Sequence, residues 1–275
     1  MEFHNLPEDC IANILSFTTP RDACAMSLVS STFRSAAKSN IVWERFLPSD
    51  YHTIIPSSLR FDSKKDLYLY LSHNSILIEN GQKSFSLEKA NGKKCYMLSA
   101  RSLLICFGDT PLCFWGWGSL PESRFTEVVN LLCVRSFKIK GRINTCMLST
   151  DTLYGAYLVF KSSSSGSYGF EYDPAMASIE ISRGGDSKFQ LVYLDASRSP
   201  SMKHFRILTQ VVRRIQAPPP LAPSSAAALV GHTRDSIPHP VERIDGWWEI
   251  EIGDFFNKGG EENEVEMGVD QVHVV

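Results

Sequence analysis

The sequence lacks the features that mark several large functional classes. It has no apolar run of the ~18 residues that would span a bilayer, no Cys-x-x-Cys pair and no Asn-x-Ser/Thr sequon. Its seven cysteines, at positions 10, 24, 95, 106, 113, 133 and 146, are odd in number and scattered, unlike a disulfide framework. A formal net charge of -2 over 275 residues supplies no field for nucleic acid or an anionic membrane. The histidines show no His-x-x-x-His or His/Cys metal spacing. There is no Gly-x-Ser-x-Gly elbow and no Walker or dinucleotide loop. No metal, cofactor, nucleic-acid partner or membrane partner is therefore expected. The start, MEFHNLPEDC, is acidic and mixed rather than basic and then apolar, so no secretory leader is expected there. Together these features point to the cytosol and nucleus.

Against those absences stand a 43% apolar fraction and a rich aromatic set, enough for a sizeable core. Residues 1–48 read as short helices. Pro7 suits a helix start, with Glu8 and Asp9 at the positive end of the dipole. Ile11, Ile14 and Leu15 follow at helical spacing. Thr19-Pro20-Arg21-Asp22 is a second start signal: a Thr cap, Pro at the first position and an acid three residues after the cap. A third helix holds Phe33, Ala36 and Ala37, and Trp43, Phe46 and Leu47 close the segment. Residues 49–92 are mixed; within them SKKDLYLYLSH predicts a helix capped by Ser63.

Beyond about residue 84 the period changes to two. Asn91-Gly92 between SFSLEK and KCYMLSA predicts a hairpin with a type I′ turn. RSFKIKGRI, LYGAYLVFKS, AMASIEIS, KFQLVYLD, GWWEIEIGDFF and EVEMGVDQV predict further strands, one pair of them turning at Gly184-Gly185. Short alternating strands without room for crossover helices predict an antiparallel sandwich. The Pro/Ala/Ser-rich residues 216–240 read as a long loop, either a spacer or a polyproline ligand. The expected fold is α+β and multidomain: a small helical domain at 1–48, a connecting segment at 49–92 and a β-sandwich at 93–275.

About 45 residues in short helices bury too little apolar surface to stand comfortably alone. A partner that covers an apolar stripe would resolve this. Leu6-Pro7, Ile11 with Ile14, Pro20-Arg21-Asp22, Leu28-Val29-Ser30 and Trp43 together resemble an F-box. The resemblance implies docking to a Skp-type adaptor and through it to a cullin/RING ligase. Leu6, Pro7, Ile11, Ile14, Leu28 and Val29 would lie at or under that interface, with Trp43 in the module's own core. The other reading makes the same residues the core of a helical cap.

The later residues resemble the phloem protein 2 family of Nictaba-like plant lectins. The resemblance rests on Cys95-Tyr96-Met97-Leu98-Ser99-Ala100-Arg101, Gly108-Asp109-Thr110-Pro111, Trp115-Gly116-Trp117, Asp245-Gly246-Trp247 and Glu249-Ile250-Glu251-Ile252-Gly253. It implies a jelly-roll-like β-sandwich lectin domain that binds N-acetylglucosamine-containing glycans. A sugar stacks its C–H face on an aromatic ring while carboxylates take its hydroxyls. By that resemblance Phe107, Trp115, Trp117 and Glu264 would contact carbohydrate; otherwise the aromatics are core and Glu264 is a solvated acid. Phe107 stands where the family has Trp, one extra residue precedes Trp115, and the family's last strand is expected to be missing.

The combined expectation is a non-catalytic substrate receptor of a ubiquitin ligase that recruits a client protein or glycoprotein. The alternative is a free-standing lectin with no ligase role. Glu249 and Glu251 lie about 7 Å apart on one strand face, within glycosidase range, although a solvent-facing acidic face is the simpler reading.

Overall fold

In the computed structural model, the described residues are 6–106, 115–132, 136–162, 174–182, 187–194, 205–214, 237–260 and 262–272. The chain divides into two compact units: Met1–Asn80 with Ser84–Tyr96, and Gly81–Lys83 with Met97–Val275. The segment 49–92 is therefore no separate connector; most of it folds with the N-terminal helices.

The first unit contains α1 (Glu8–Ser16), α2 (Pro20–Met26), α3 (Ser31–Ala36), α4 (Asn40–Phe46), α5 (Tyr51–Ile54) and α6 (Lys64–His73), then β1 (Ile76–Ile78). Local chemistry sets the helix starts. Pro7 sits at the N-cap of α1, one position ahead of the first helical residue. The Thr19, Ser30 and Ser63 hydroxyls accept the N–H groups of Asp22, Phe33 and Asp66, each three residues on. Trp43 is fully buried and donates its indole N–H to the Ala37 carbonyl at 2.7 Å. Its ring meets Phe46 edge-on at 5.6 Å and tilts against Tyr68 at 5.2 Å.

The hairpin forms between β2 (Lys83–Leu87) and β3 (Lys94–Ser99), but not through a type I′ turn. Only Gly92 of the Asn-Gly pair has positive φ, at 71°. The Gly92 N–H returns to Glu88 O at 2.9 Å and the Glu88 N–H to Lys93 O at 2.8 Å, closing a longer loop. Packing explains the difference. A Cβ at Gly92 would lie 2.6 Å from Phe46 O and 3.1 Å from the Tyr68 ring. The Tyr68 hydroxyl, 3.1 Å from both the Glu88 and Lys89 carbonyls, donates to this loop. Lys94, almost buried, reaches Asp50 at 2.6 Å. Helices and loop are thus one packed body.

The second unit is an antiparallel sandwich. Its further strands are β4 (Leu104–Ile105), β5 (Trp115–Gly118), β6 (Val128–Leu131), β7 (Ser136–Asn144), β8 (Thr152–Ser162), β9 (Ala175–Ile181), β10 (Lys188–Val192), β11 (Phe205–Arg214), β12 (Val241–Glu242), β13 (Trp248–Asn257) and β14 (Glu264–Val272). One sheet runs β12-β13-β8-β11, with β6 on β11 and β5 on β6. The other runs β10-β9-β14-β7-β4. The sheets meet where β13 packs on β9 and β10. Gly253 packs closely there, since a Cβ would sit 3.1 Å from Ile179 Cδ1, tighter than ordinary contact. Val265, Met267 and Val269 of β14 all point inward and are fully buried, as the alternation required. β14 pairs on both edges, with β7 and β9. β9 and β10 form the expected hairpin; its Gly184-Gly185 turn and residues 216–236 of the Pro-rich loop lie outside the described residues.

Trp247 departs from the alternation. Rather than facing solvent with Glu249 and Glu251, it is 2% exposed, in a small second core with Met97, Phe125, Val128 and Val159. The acidic face is paired too. Glu249 accepts from Arg243 Nη1 at 2.8 Å, and Glu251 lies 3.4 Å from the Tyr157 hydroxyl. The glutamates are held in place by structural partners rather than arrayed around an open cleft.

Candidate functional site

The helical unit sorts its apolar residues into two sets. Ile11, Ala12 and Leu15 of α1 are about 1% exposed and form core with α3 and α4. Ile14 is 50% exposed, Leu28 78% and Val29 66%. Leu6 is half-buried and Pro7 exposed beside them in sequence. Of the six residues expected at the docking face, Ile11 therefore lies beneath it and the other five reach solvent to differing degrees. A cleft of about 450 Å³ opens on the same helices, lined by Ile11, Ile14, Leu15, Ala25, Met26 and Phe33 among others. Exposed large apolar side chains beside an apolar cleft make a surface suited to another protein.

Two residues of this unit escaped the sequence reading. Phe17, the C-cap of α1 and three residues after Ile14, is 69% exposed. The Arg45 guanidinium lies 4.3 Å from its ring centroid. The i, i+3 spacing from Ile14 could have flagged Phe17. Nothing in sequence links it to Arg45, which comes from α4.

In the sandwich the expected carbohydrate residues do not come together. Trp115 is 7% exposed and donates its indole N–H to Cys106 O at 3.0 Å. As placed it is a largely buried aromatic. Trp117 is half-buried, with the Arg101 guanidinium 3.5 Å over its ring. Arg101 in turn donates twice to Glu127, at 2.9 and 3.0 Å. These hydrogen bonds hold the exposed Glu127 carboxyl below the usual carboxylate range. The Trp117 indole nitrogen is buried with no hydrogen-bond partner among the described residues. Phe107 lies outside the described residues.

Glu264 is exposed at the start of β14, 3.8 Å from Arg142, and its own N–H bonds to the Ser182 hydroxyl at 2.8 Å. Strand register separates it from the tryptophans. Trp115 pairs with Leu131, Leu131 with Phe205 and Phe205 with Ser162, the last residue of β8. Asn257, opposite the first residue of β8, bonds through its amide to Thr145 O, and Thr145 bonds Asn263 next to Glu264. Glu264 and Trp115 thus lie toward opposite ends of the sandwich, at least roughly 20 Å apart, the rise of the six residues of β7 between Lys138, bonded to Cys106, and Asn144, opposite Glu264. One sugar ring cannot touch both. Two residues after Glu264, Glu266 is the better-buried acid. Burial pushes its carboxyl up, but hydrogen bonds from Lys140 and Arg142 outweigh that and hold it below its usual range.

Comparison with known proteins matches both parts of the chain. The family model for phloem protein 2 matches residues 93–274, and that for the F-box domain matches residues 3–45. The chain is 42% identical to F-box protein PP2-B1 of Arabidopsis thaliana, over 94% of this chain and 80% of that protein. It is 41% identical to F-box protein PP2-B10 of the same plant, over 96% and 85%. With F-box protein VBF, also from Arabidopsis thaliana, identity is 40% over 97% and 92%.

Proposed function

Because this chain belongs to the phloem protein 2 family and carries an F-box ahead of that domain, we propose that it is the client-receptor subunit of a Skp–cullin–F-box ubiquitin ligase. The helical unit docks on a Skp-type adaptor, which ties it to the cullin and RING subunits. The sandwich selects the client. The subunit itself does no bond chemistry; ubiquitin transfer belongs to its partners. It works in the cytosol and nucleus.

One observation carries this reading: Ile14, Leu28 and Val29 are exposed on a module in which Ile11, Ala12, Leu15, Val42 and Trp43 already form a packed core. Leaving such side chains in water forfeits about 1.5–3 kcal/mol each relative to burial, which a docked partner recovers. In the test, the full chain is co-purified with a Skp-type adaptor. The wild type binds, and Ile14→Asp abolishes binding while the sandwich keeps its β-sheet circular dichroism. Retained binding in Ile14→Asp would remove the proposed face. No binding by the wild type would favour a lectin without a ligase role.

For the client, the family resemblance favours a glycoprotein bearing N-acetylglucosamine-type glycans. An array of N-acetylglucosamine oligomers and N-glycan cores tests this. Binding supports glycan-directed recruitment, and a blank array points to a protein surface instead.

A further inference from the structure

Among the described residues there are two guanidinium–aromatic stacks, and one of them is incomplete. In the sandwich, Arg101 lies over Trp117 and gives two parallel N–H bonds to Glu127. The ring holds the guanidinium plane and the carboxylate takes its fork, a geometry Lys cannot reproduce. In the helical unit, Arg45 lies over Phe17 in the same manner, but no carboxylate completes it. Among the described residues Arg45 forms no ion pair and no hydrogen bond through its side chain. The neighbouring Glu44 does not serve it, because Glu44 is engaged with Lys64 and the Tyr51 hydroxyl.

Placement makes the vacancy informative. Phe17 follows Ile14 by three residues, so both project from the same side of α1. Both are exposed, at 69% and 50%. The stack therefore stands at the margin of the apolar docking face. It is a charged, planar donor whose orientation is already fixed by a ring. Ordering such a side chain in advance removes part of the entropy cost of using it at an interface. Arg is also the basic residue enriched at protein interfaces and their hot spots.

We propose that Arg45, stacked on Phe17, is a specificity-determining contact of the docking face and takes a carboxylate of the Skp-type adaptor in a bidentate pair. The proposal rests on the docking reading above. It adds the chemistry the partner must present: an Asp or Glu at the margin of an apolar groove, placed to meet Arg45 as Ile14 enters.

The experiment measures the affinity of the full chain for a purified Skp-type adaptor by titration calorimetry at two salt concentrations. The variants are Arg45→Ala, Arg45→Lys and Arg45→Glu, with each adaptor acid near the groove changed in turn to Arg. Arg45→Ala is expected to weaken binding about tenfold or more and to flatten its salt dependence. Arg45→Lys recovers only part of the loss, and Arg45→Glu binds worst. One acid→Arg adaptor restores binding to Arg45→Glu. Arg45 is exposed, so melting temperatures should stay at the wild-type value and separate contact from folding. If Arg45→Ala binds within twofold of wild type, or if no adaptor reversal rescues Arg45→Glu, the contact is refuted while the docking reading stands. If the wild type does not bind at all, the docking reading fails first and takes this contact with it.

Discussion

The two units treat their ring-stacked arginines in opposite ways. In the sandwich Trp115 and Trp247 are buried, and the Trp117 face is covered by an arginine that the chain itself neutralises. The helical unit leaves Ile14, Phe17, Leu28 and Val29 in solvent, together with an arginine lacking a counter-ion. The contrast teaches that aromatic content alone does not locate a binding site. Incomplete contacts are the better guide, because each represents stabilisation that folding has not collected.

The comparison can be broken or sharpened by substitution. Trp43→Ala should have the largest effect, destabilising the helical unit by about 3–5 kcal/mol in chemical denaturation through the lost ring and its cavity. A smaller loss would mean that the core does not depend on this residue. Gly92→Ala comes next, at about 2 kcal/mol or more, because it forces a strained φ and a clash with Phe46 O. Ordinary stability for this variant would show that the loop can move away from the helices.

Glu266→Gln probes the sandwich through pH. The folded carboxyl titrates below its unfolded value, so its stabilisation is present above the ordinary carboxylate range of about 4.3 and is lost as pH falls through the lower folded value. The variant should be less stable than wild type at neutral pH, and the two melting curves should converge in acid. A gap that persists at low pH would assign the loss to packing. The smallest change in stability belongs to Leu28→Ser, within about 0.5 kcal/mol of wild type, and adaptor affinity should nevertheless fall. A variant that lost stability and kept its affinity would move Leu28 from the face into the core.

Much of the helical unit was legible because its signals are local. Thr19, Ser30 and Ser63 cap over three residues, and α1 writes its core side at helical spacing. The split of that spacing into buried Ile11 and exposed Ile14 was less legible, since it depends on where α3 and α4 pack. Strands with clean alternation were equally readable. β11 was missed: FRILTQVVRR mixes apolar and basic residues with no sharp period, and its strand character comes from lying between β8 and β6. The type I′ reading of Asn91-Gly92 failed for a tertiary reason, the approach of the loop to Phe46 and Tyr68. The separation of Trp115 from Glu264 was not legible either, because it depends on strand register. The pairing of Phe17 with Arg45 spans two helices and leaves no trace in either.

The seating of Gly92 against Phe46 and Tyr68 has a practical corollary for protein engineering. The portable cassette does not end where the helical motif ends. Cutting after residue 48 would strip Trp43 of Tyr68 and Phe46 of its seat against Gly92. A chimera meant to carry the helical unit should keep the chain at least through Lys94, so that its bond to Asp50 is retained.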